Sequence, residues 1–340
     1  MIIPQMGATG RFDSLQCFRG IAALGVLLFH SSAATNARIQ PIPDWVMSLC
    51  SLGNLGVDFF FVLSGFIILT SHLNDAKTPG SARTYLTKRL VRIFPPYLPV
   101  SIALLVSLWL LPPDWTQRFD GPRPEFSLLS SLLLVPDYRP PALSIAWTLI
   151  FEMVFYFVFL LFFISNRVFV LAVVSWSAAI AFWIPNGNPL LDTVFDARNL
   201  EFILGMATAC IARAAMPRSA GWILLAAGVL GIWLSMFAFP TSNPMILGAV
   251  FSAIVLGGVL LERQGQIRTP AFLVTLGDAS YAIYLTHNPL QSAISRIFPR
   301  FVQHPTWWLG MSVAVIACVL SGILYHRRFE KPLVRAIGKL

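Results

Sequence analysis

The chain has 340 residues, 56% of them apolar and only 11% charged, with a mean hydropathy of +0.72. A soluble domain carries about a quarter charged residues, so this composition cannot wet a globular surface. It excludes a soluble enzyme, a nucleic-acid-binding module and a secreted disulfide scaffold, and it predicts an integral membrane protein.

Ten apolar runs follow in chain order, at 15–34, 53–71, 97–111, 146–164, 168–184, 198–215, 222–238, 245–261, 279–298 and 307–326. With roughly 20 residues needed per span, they predict an all-α, single-domain bundle of about ten transmembrane helices over residues 1–340. Arg11, Asp13 and Arg19 precede or enter the first run, which therefore reads as a span and not as a removable signal peptide. The third run is short and the ninth is the most polar. The segment 72–96 is basic, with five Lys or Arg against the single acid Asp75. The segment 112–145 carries seven prolines and the acids Asp114, Asp120, Glu125 and Asp137. Its apolar stretch 127–135 is too short to span and is expected to lie in the interface or to re-enter. No internal repeat of the kind that marks many carriers is visible.

The net charge of +9 reads as topology on this background. An inward N-terminus and ten spans place 17 of the 24 Lys and Arg on the cytoplasmic side, including the loop 72–96 and the tail 327–340. Arg296 and Arg300 go against that bias. Trp45, Trp109, Trp115, Trp307 and Trp308 fall near the expected outer boundaries, as aromatic belts do. Both termini are thus expected in the cytoplasm. Cys17, Cys50, Cys210 and Cys318 are scattered without metal-ligand spacing, so neither a disulfide framework nor a metal site is signalled.

An ionisable group at membrane depth is costly and is a functional candidate by default. Arg19 and His30 lie eleven residues apart in the first run. Eleven steps of a helix bring them within about 20° of each other and roughly 16 Å apart on one face. A snorkelling arginine and a separately satisfied histidine would also explain them. Glu152 enters the fourth run near its outer end, where it is expected to meet His30; an imidazole oriented by a carboxylate is a competent general base. A structural partnership for Glu152 elsewhere is the alternative. Ser280, Tyr281, Tyr284, Thr286 and His287 gather hydroxyls and an imidazole in one span, with Tyr284 and His287 on the same face. Asp58 sits barely a turn into the second run, and Ser64-Gly65 reads first as a close-packing notch. Arg89 and Arg92, at i and i+3, form a fork for phosphate oxygens, and anionic lipid headgroups suit it equally.

Together these segments resemble the acyltransferase family 3 membrane proteins, which acylate bacterial surface polysaccharides and other glycoconjugates. The resemblance rests on Arg19-x10-His30, the run Gly53–Phe66 ending Phe-x-x-Ser-Gly-Phe, and Arg89-x-x-Arg92-Ile-x-Pro95. Trp147-Thr148-Leu149 with Glu152, Ser280-Tyr281-x-x-Tyr284-Leu-x-His287 and the closing Glu330-Lys331-Pro332 complete it, in order from Arg19 to Pro332. Some family members carry a fused SGNH-type domain, and this sequence is expected to be the short form. The resemblance implies an O-acyltransferase of the bacterial inner membrane. It also implies no bound cofactor, cytoplasmic acyl-CoA (usually acetyl-CoA) as cosubstrate, and a glycan or lipid-linked sugar as acceptor. His30, Arg19 and Glu152 map onto catalytic roles, and Arg89, Arg92 and Arg19 onto donor binding. Asp58, Ser64, Trp147, Tyr281, Tyr284 and His287 are further candidates. Direct attack of the acceptor and an acyl-histidine intermediate both fit at this point. The competing class is a proton-coupled transporter or flippase for an anionic solute or lipid-linked sugar, since intramembrane Arg, His and Glu suit carriers too.

Overall fold

The computed structural model describes residues 12–112, 125–238, 241–304 and 306–337, and among these every regular element is a helix. The expected loop residues Asp114, Trp115, Arg118, Asp120 and Arg123 lie outside the described residues, as does Arg11. Among the described residues seven helices are long and apolar enough to cross a membrane, which does not confirm the expected ten. Of the three runs that fall short, two do so in length and one in hydropathy. Asn166–Phe182 is apolar but has 17 residues, Asn199–Ile211 has 13, and Ser280–Phe301 is long but polar.

Helix α1, Asp13–Arg38, carries both Arg19 and His30. Its own N-cap residue, Phe12, offers no side-chain oxygen to the free N–H groups of the first turn. Glu262 supplies the cap instead, its two carboxylate oxygens accepting from the amides of Asp13 at 2.9 Å and Ser14 at 2.7 Å. A carboxylate at a helix N-terminus also meets the positive end of the helix dipole. Glu262→Ala is expected to cost about 1–2 kcal/mol of stability, measured by unfolding in detergent. A variant as stable as the parent would show that this cap is dispensable.

Helix α2, Asp44–Ser51, leads through a short 3-10 turn into α3, Gly56–His72. Helix α4, Pro79–Leu110, corrects two sequence boundaries at once: the expected loop 72–96 is mostly helix, and the third run is the second half of a 32-residue element. Pro95, Pro96 and Pro99 lie inside it. Each removes an internal N–H donor. Neighbouring hydroxyls serve the same stretch: Tyr281 donates to the Ile93 carbonyl at 3.1 Å and Tyr325 to that of Pro96 at 2.7 Å. These bonds tie the proline-bearing stretch to neighbouring helices.

The stretch 127–135 forms a six-residue helix α5, Leu128–Leu133, closed by left-handed Leu134 at φ 54°. Tyr97 and Ser101 of α4 both donate to the Ser131 carbonyl, at 2.7 and 2.8 Å, which pins this segment against the bundle. The Ser127 hydroxyl and the Tyr138 amide hold the Asp137 carboxyl below its usual range.

Helices α6 (Ala146–Phe159), α7 (Asn166–Phe182), α8 (Pro189–Val194) and α9 (Asn199–Ile211) follow. Helix α9 crosses α3 at its closest where Gly65 faces Gly205. A Cβ on Gly65 would overlap the Phe202 carbonyl, and one on Gly205 the Val62 carbonyl. Phe202 is fully buried beneath this crossing, stacked on Phe155 at 4.6 Å and against Phe61 at 4.7 Å. Helices α10 (Ala220–Trp233) and α14 (Trp307–Tyr325) show apolar residues outward, such as Ile223 and Leu320, as lipid contact requires. Between them come α11 (Pro244–Arg263), α12 (Ala271–Asp278) and α13 (Ser280–Phe301). Helix α15, Lys331–Ile337, lies in the expected tail and packs on α4.

The polarity of α13 is turned inward. Tyr284 shares a hydrogen bond with Thr148 at 3.0 Å, and Asn288 donates to Ser144 at 3.1 Å. Gln291 accepts from Ser31 at 3.1 Å and donates to the His30 carbonyl, while Arg38 donates to Ser295 at 3.1 Å. The most polar of the expected spans is thus polar on the stripe that faces α1 and α6.

Candidate active site

A cavity of about 260 Å³ runs between α1, α3, α4, α6 and α13. Its lining takes α3 residues from Val57 to Ser71, fourteen positions apart, so it extends about 21 Å along that helix. Arg19, Arg89 and Arg92 line it with a single carboxylate, Glu152. Its walls include Phe60, Leu63, Phe66 and Leu149. The volume lies below the usual range for sites that enclose a whole drug-sized ligand, so a slender chain fits it better than a nucleotide.

Helical geometry places the cationic end. Arg19 sits two turns into α1 and donates to Gln16 at 3.1 Å. Arg92, Glu152, Asp278 and Glu330 are the charged groups whose fields reach its guanidinium. Arg89 lies one turn before Arg92 on α4, its guanidinium 5.7 Å from the Tyr85 ring and 5.9 Å from the Tyr156 ring. Three guanidiniums in one partly enclosed apolar space create a field for a polyanion, and low-dielectric walls strengthen it.

Glu152 belongs to this cavity and not to His30. Its Oε1 accepts from Tyr156 at 2.5 Å and from Ser64 at 3.2 Å. The expected Glu152–His30 meeting is therefore corrected. Glu152 faces α3 and the arginines, whereas His30 faces α13. The reason is tertiary, since the rotation of α6 against α1 sets which face each side chain meets.

His30 instead lies against His287, ring centroids 5.3 Å apart, and against Phe29 at 5.0 Å. His287 is 1% exposed. Its Nδ1 lies 2.6 Å from the Tyr284 carbonyl and 3.2 Å from that of Ile283, so Nδ1 carries the proton and donates. That leaves Nε2 a lone pair, buried and, among the described residues, without a hydrogen-bond partner. Arg19 and His30 both face inward, Arg19 onto the cavity and His30 onto His287, and His30 is not among the cavity's lining residues. Phe60 and Tyr284, whose rings are 6.2 Å apart, belong to the cavity wall. The Tyr284 ring lies 5.7 Å from His287, which separates the cavity from the histidine pair.

Asp58 and Trp147 are not among the cavity's lining residues; the Trp147 ring packs 6.2 Å from that of Phe61. The Asp58 carboxyl stands beside that of Glu201, and the Arg198 guanidinium lies 5.3 Å from the Trp147 ring. Ser64 lines the cavity, and Tyr281 lines it beside Ile93. Sequence reasoning missed Tyr156, Glu201 and His72. Tyr156 was within reach, being i+4 from Glu152 on one helix face. Glu201 looked like an ordinary first-turn acid, and nothing local marked it as fully buried.

A family model described as an acyltransferase domain matches residues 12–326. The acyltransferase MdmB of Streptomyces mycarofaciens is 27% identical, with 97% of this chain and 93% of that protein covered. The exopolysaccharide production protein ExoZ of Rhizobium meliloti is 28% identical, over 91% of this chain and 95% of its own length. The putative peptidoglycan O-acetyltransferase YrhL of Bacillus subtilis is 23% identical over 94% of this chain, which spans 54% of that protein. No solved structure matches.

Proposed function

Because this chain belongs to acyltransferase family 3 and is an acyltransferase, we propose that it moves an acetyl group from acetyl-CoA to a hydroxyl of a cell-envelope or exported glycan. The observation that carries this reading is the long, narrow cavity with Arg19, Arg89 and Arg92 in its wall. Guanidinium forks suit the phosphates of CoA, and a slender apolar channel suits its pantetheine arm. On this reading the arginines face the cytoplasm of a bacterial inner membrane, both termini lie inside, and the thioester is carried to depth without the nucleotide crossing.

The chemistry follows from that placement. The acceptor oxygen attacks the thioester carbonyl as His30 takes the hydroxyl proton. Arg19 steadies the donor or the oxyanion, and the imidazolium returns its proton to the departing CoA thiolate as the C–S bond breaks. The free Nε2 of His287 supports the neighbouring His30 in place of the carboxylate the sequence suggested. Tyr284 must turn aside for thioester and imidazole to meet. One observation favours a second assignment of the base: Glu152, not His30, lines the cavity. Glu152→Gln and His30→Ala, compared in one assay, separate the two.

Purified protein in detergent, given labelled acetyl-CoA and a glycan acceptor, tests the function itself. Transfer needs no sealed compartment, whereas transport does, so turnover in micelles supports the enzyme over the carrier that the relatives' names already disfavour. The double substitution Arg89→Ala with Arg92→Ala is expected to raise KM for acetyl-CoA about a hundredfold or more, two charge-assisted contacts being lost. An unchanged KM would return the pair to anchoring lipid.

A further inference from the structure

His72, the last residue of α3, is 7% exposed and belongs to no motif noted in the sequence. Its Nδ1 lies 2.7 Å from Asp75 Oδ2, and its Nε2 lies 3.2 Å from Arg89 Nη2. A guanidinium can only donate. The Nε2 must therefore present its lone pair, which puts the ring proton on Nδ1, where it donates to Asp75. The direction of the whole chain is fixed: Arg89 gives to His72, and His72 gives to Asp75.

The same guanidinium sits over the rings of Tyr85 and Tyr156, and Tyr156 in turn donates to Glu152. The Tyr85 ring stands perpendicular to that of His72 at 5.1 Å, and Phe159 and Phe163 close the imidazole in. Arg89 is thus held at its tip by an acceptor whose own orientation is locked. An arginine left to itself explores many rotamers, and ordering it at the moment of binding weakens affinity.

We infer that His72, oriented by Asp75, is a positioning residue that holds the Arg89 guanidinium aimed into the cavity for the anionic donor. This rests on the donor reading given above. Its consequence is a binding effect with little effect on the chemical step, because His72 does not line the cavity. It also has a pH signature. A doubly protonated imidazole cannot accept from Arg89, and its charge then faces Arg89 and Lys88 of α4 with only Asp75 to offset it. Tyr85 is the other titratable group on that side, Lys77 is turned to the Phe162 ring, and α6 presents Phe159 to the imidazole, with Tyr156 and Glu152 on the far side of Arg89. Donor affinity should fall as His72 takes its second proton.

The test is equilibrium binding of labelled acetyl-CoA to the full-length protein in detergent, with KM and kcat measured alongside. His72→Leu removes the acceptor and should raise Kd and KM about tenfold, with kcat within about twofold. His72→Gln places an amide oxygen near the Nε2 position, so Kd should return to within about twofold of the parent. It should also lose the extra weakening that the parent shows as the pH falls, followed to well below an ordinary histidine's roughly 6.5 because a buried imidazole takes its second proton late. Arg89→Ala separates this inference from its premise. If Arg89→Ala weakens binding and His72→Leu does not, the positioning role is overturned and the donor reading stands. If Arg89→Ala binds acetyl-CoA as the parent does, both fall. Equal loss in His72→Leu and His72→Gln, with no difference in pH profile from the parent, would reduce His72 to a packing residue.

Discussion

His30→Ala is expected to lower acyl transfer by a factor of about 10²–10⁴, the range typical of a lost general base. The protein should still insert and bind acetyl-CoA. His30 makes ring contacts with Phe29 and His287, and it is the His30 backbone carbonyl, not the ring, that accepts from Gln291. Alanine preserves that backbone bond, so the bridge between α1 and α13 survives. The cationic cavity lies more than two helical turns away on α1 and keeps its residues, so the defect should appear in kcat while the Kd for donor stays put. Transfer at near the parent rate would remove His30 from the chemistry. Glu152→Gln would then be the decisive variant, because Glu152 is the acid–base group that the cavity itself contains.

The second large effect is structural. Gly205→Ala is expected to destabilise the fold by about 3 kcal/mol or more, at the upper end of overpacking costs, as should Gly65→Ala. The added methyl meets backbone and not a movable side chain: the Val62 carbonyl for Gly205 and the Phe202 carbonyl for Gly65. Neither carbonyl can shift without moving its helix. Parting α3 from α9 would loosen the stack of Phe61, Phe202 and Phe155, and would draw Ser64 from Glu152. Activity should therefore fall with stability. Gly80→Ala is the control, since the nearest atom to its Cβ would be Thr78 Oγ1 at 3.8 Å, and it should stay within about 0.5 kcal/mol of the parent. Unfolding in detergent measures all three, and a Gly205→Ala protein as stable as the control would show that this crossing is not the constraint it looks to be.

Some of the site was legible because it depends on one helix alone. Arg19 and His30 share a stripe by virtue of the helical period, and α1 needs no partner to create that alignment. Arg89 and Arg92 at i and i+3 are legible for the same reason. Glu152 failed as His30's partner because the partner of a side chain on one helix depends on how its neighbours are rotated about their axes. Pro95 and Pro96 read in the sequence as the boundary between a loop and a span. In the bundle, tyrosine hydroxyls from α13 and α14 donate to carbonyls around them, and the helix runs on to Leu110. Helix α13 shows the same limit in reverse. Its polar residues lower its hydropathy, yet Tyr284, His287, Gln291 and Ser295 are all buried.

Composition and the 3.6-residue period together establish a helical membrane protein with ionisable groups turned inward, because the low charge of the chain and the spacing of its side chains are local properties. Tertiary packing alone decided that the arginines share their cavity with Glu152, that His30 keeps company with His287, and that His72 reaches Arg89. Those meetings are choices among helix rotations and depths. The energy that selects them comes from close contacts such as Gly65 on the Phe202 carbonyl, between residues far apart in the chain.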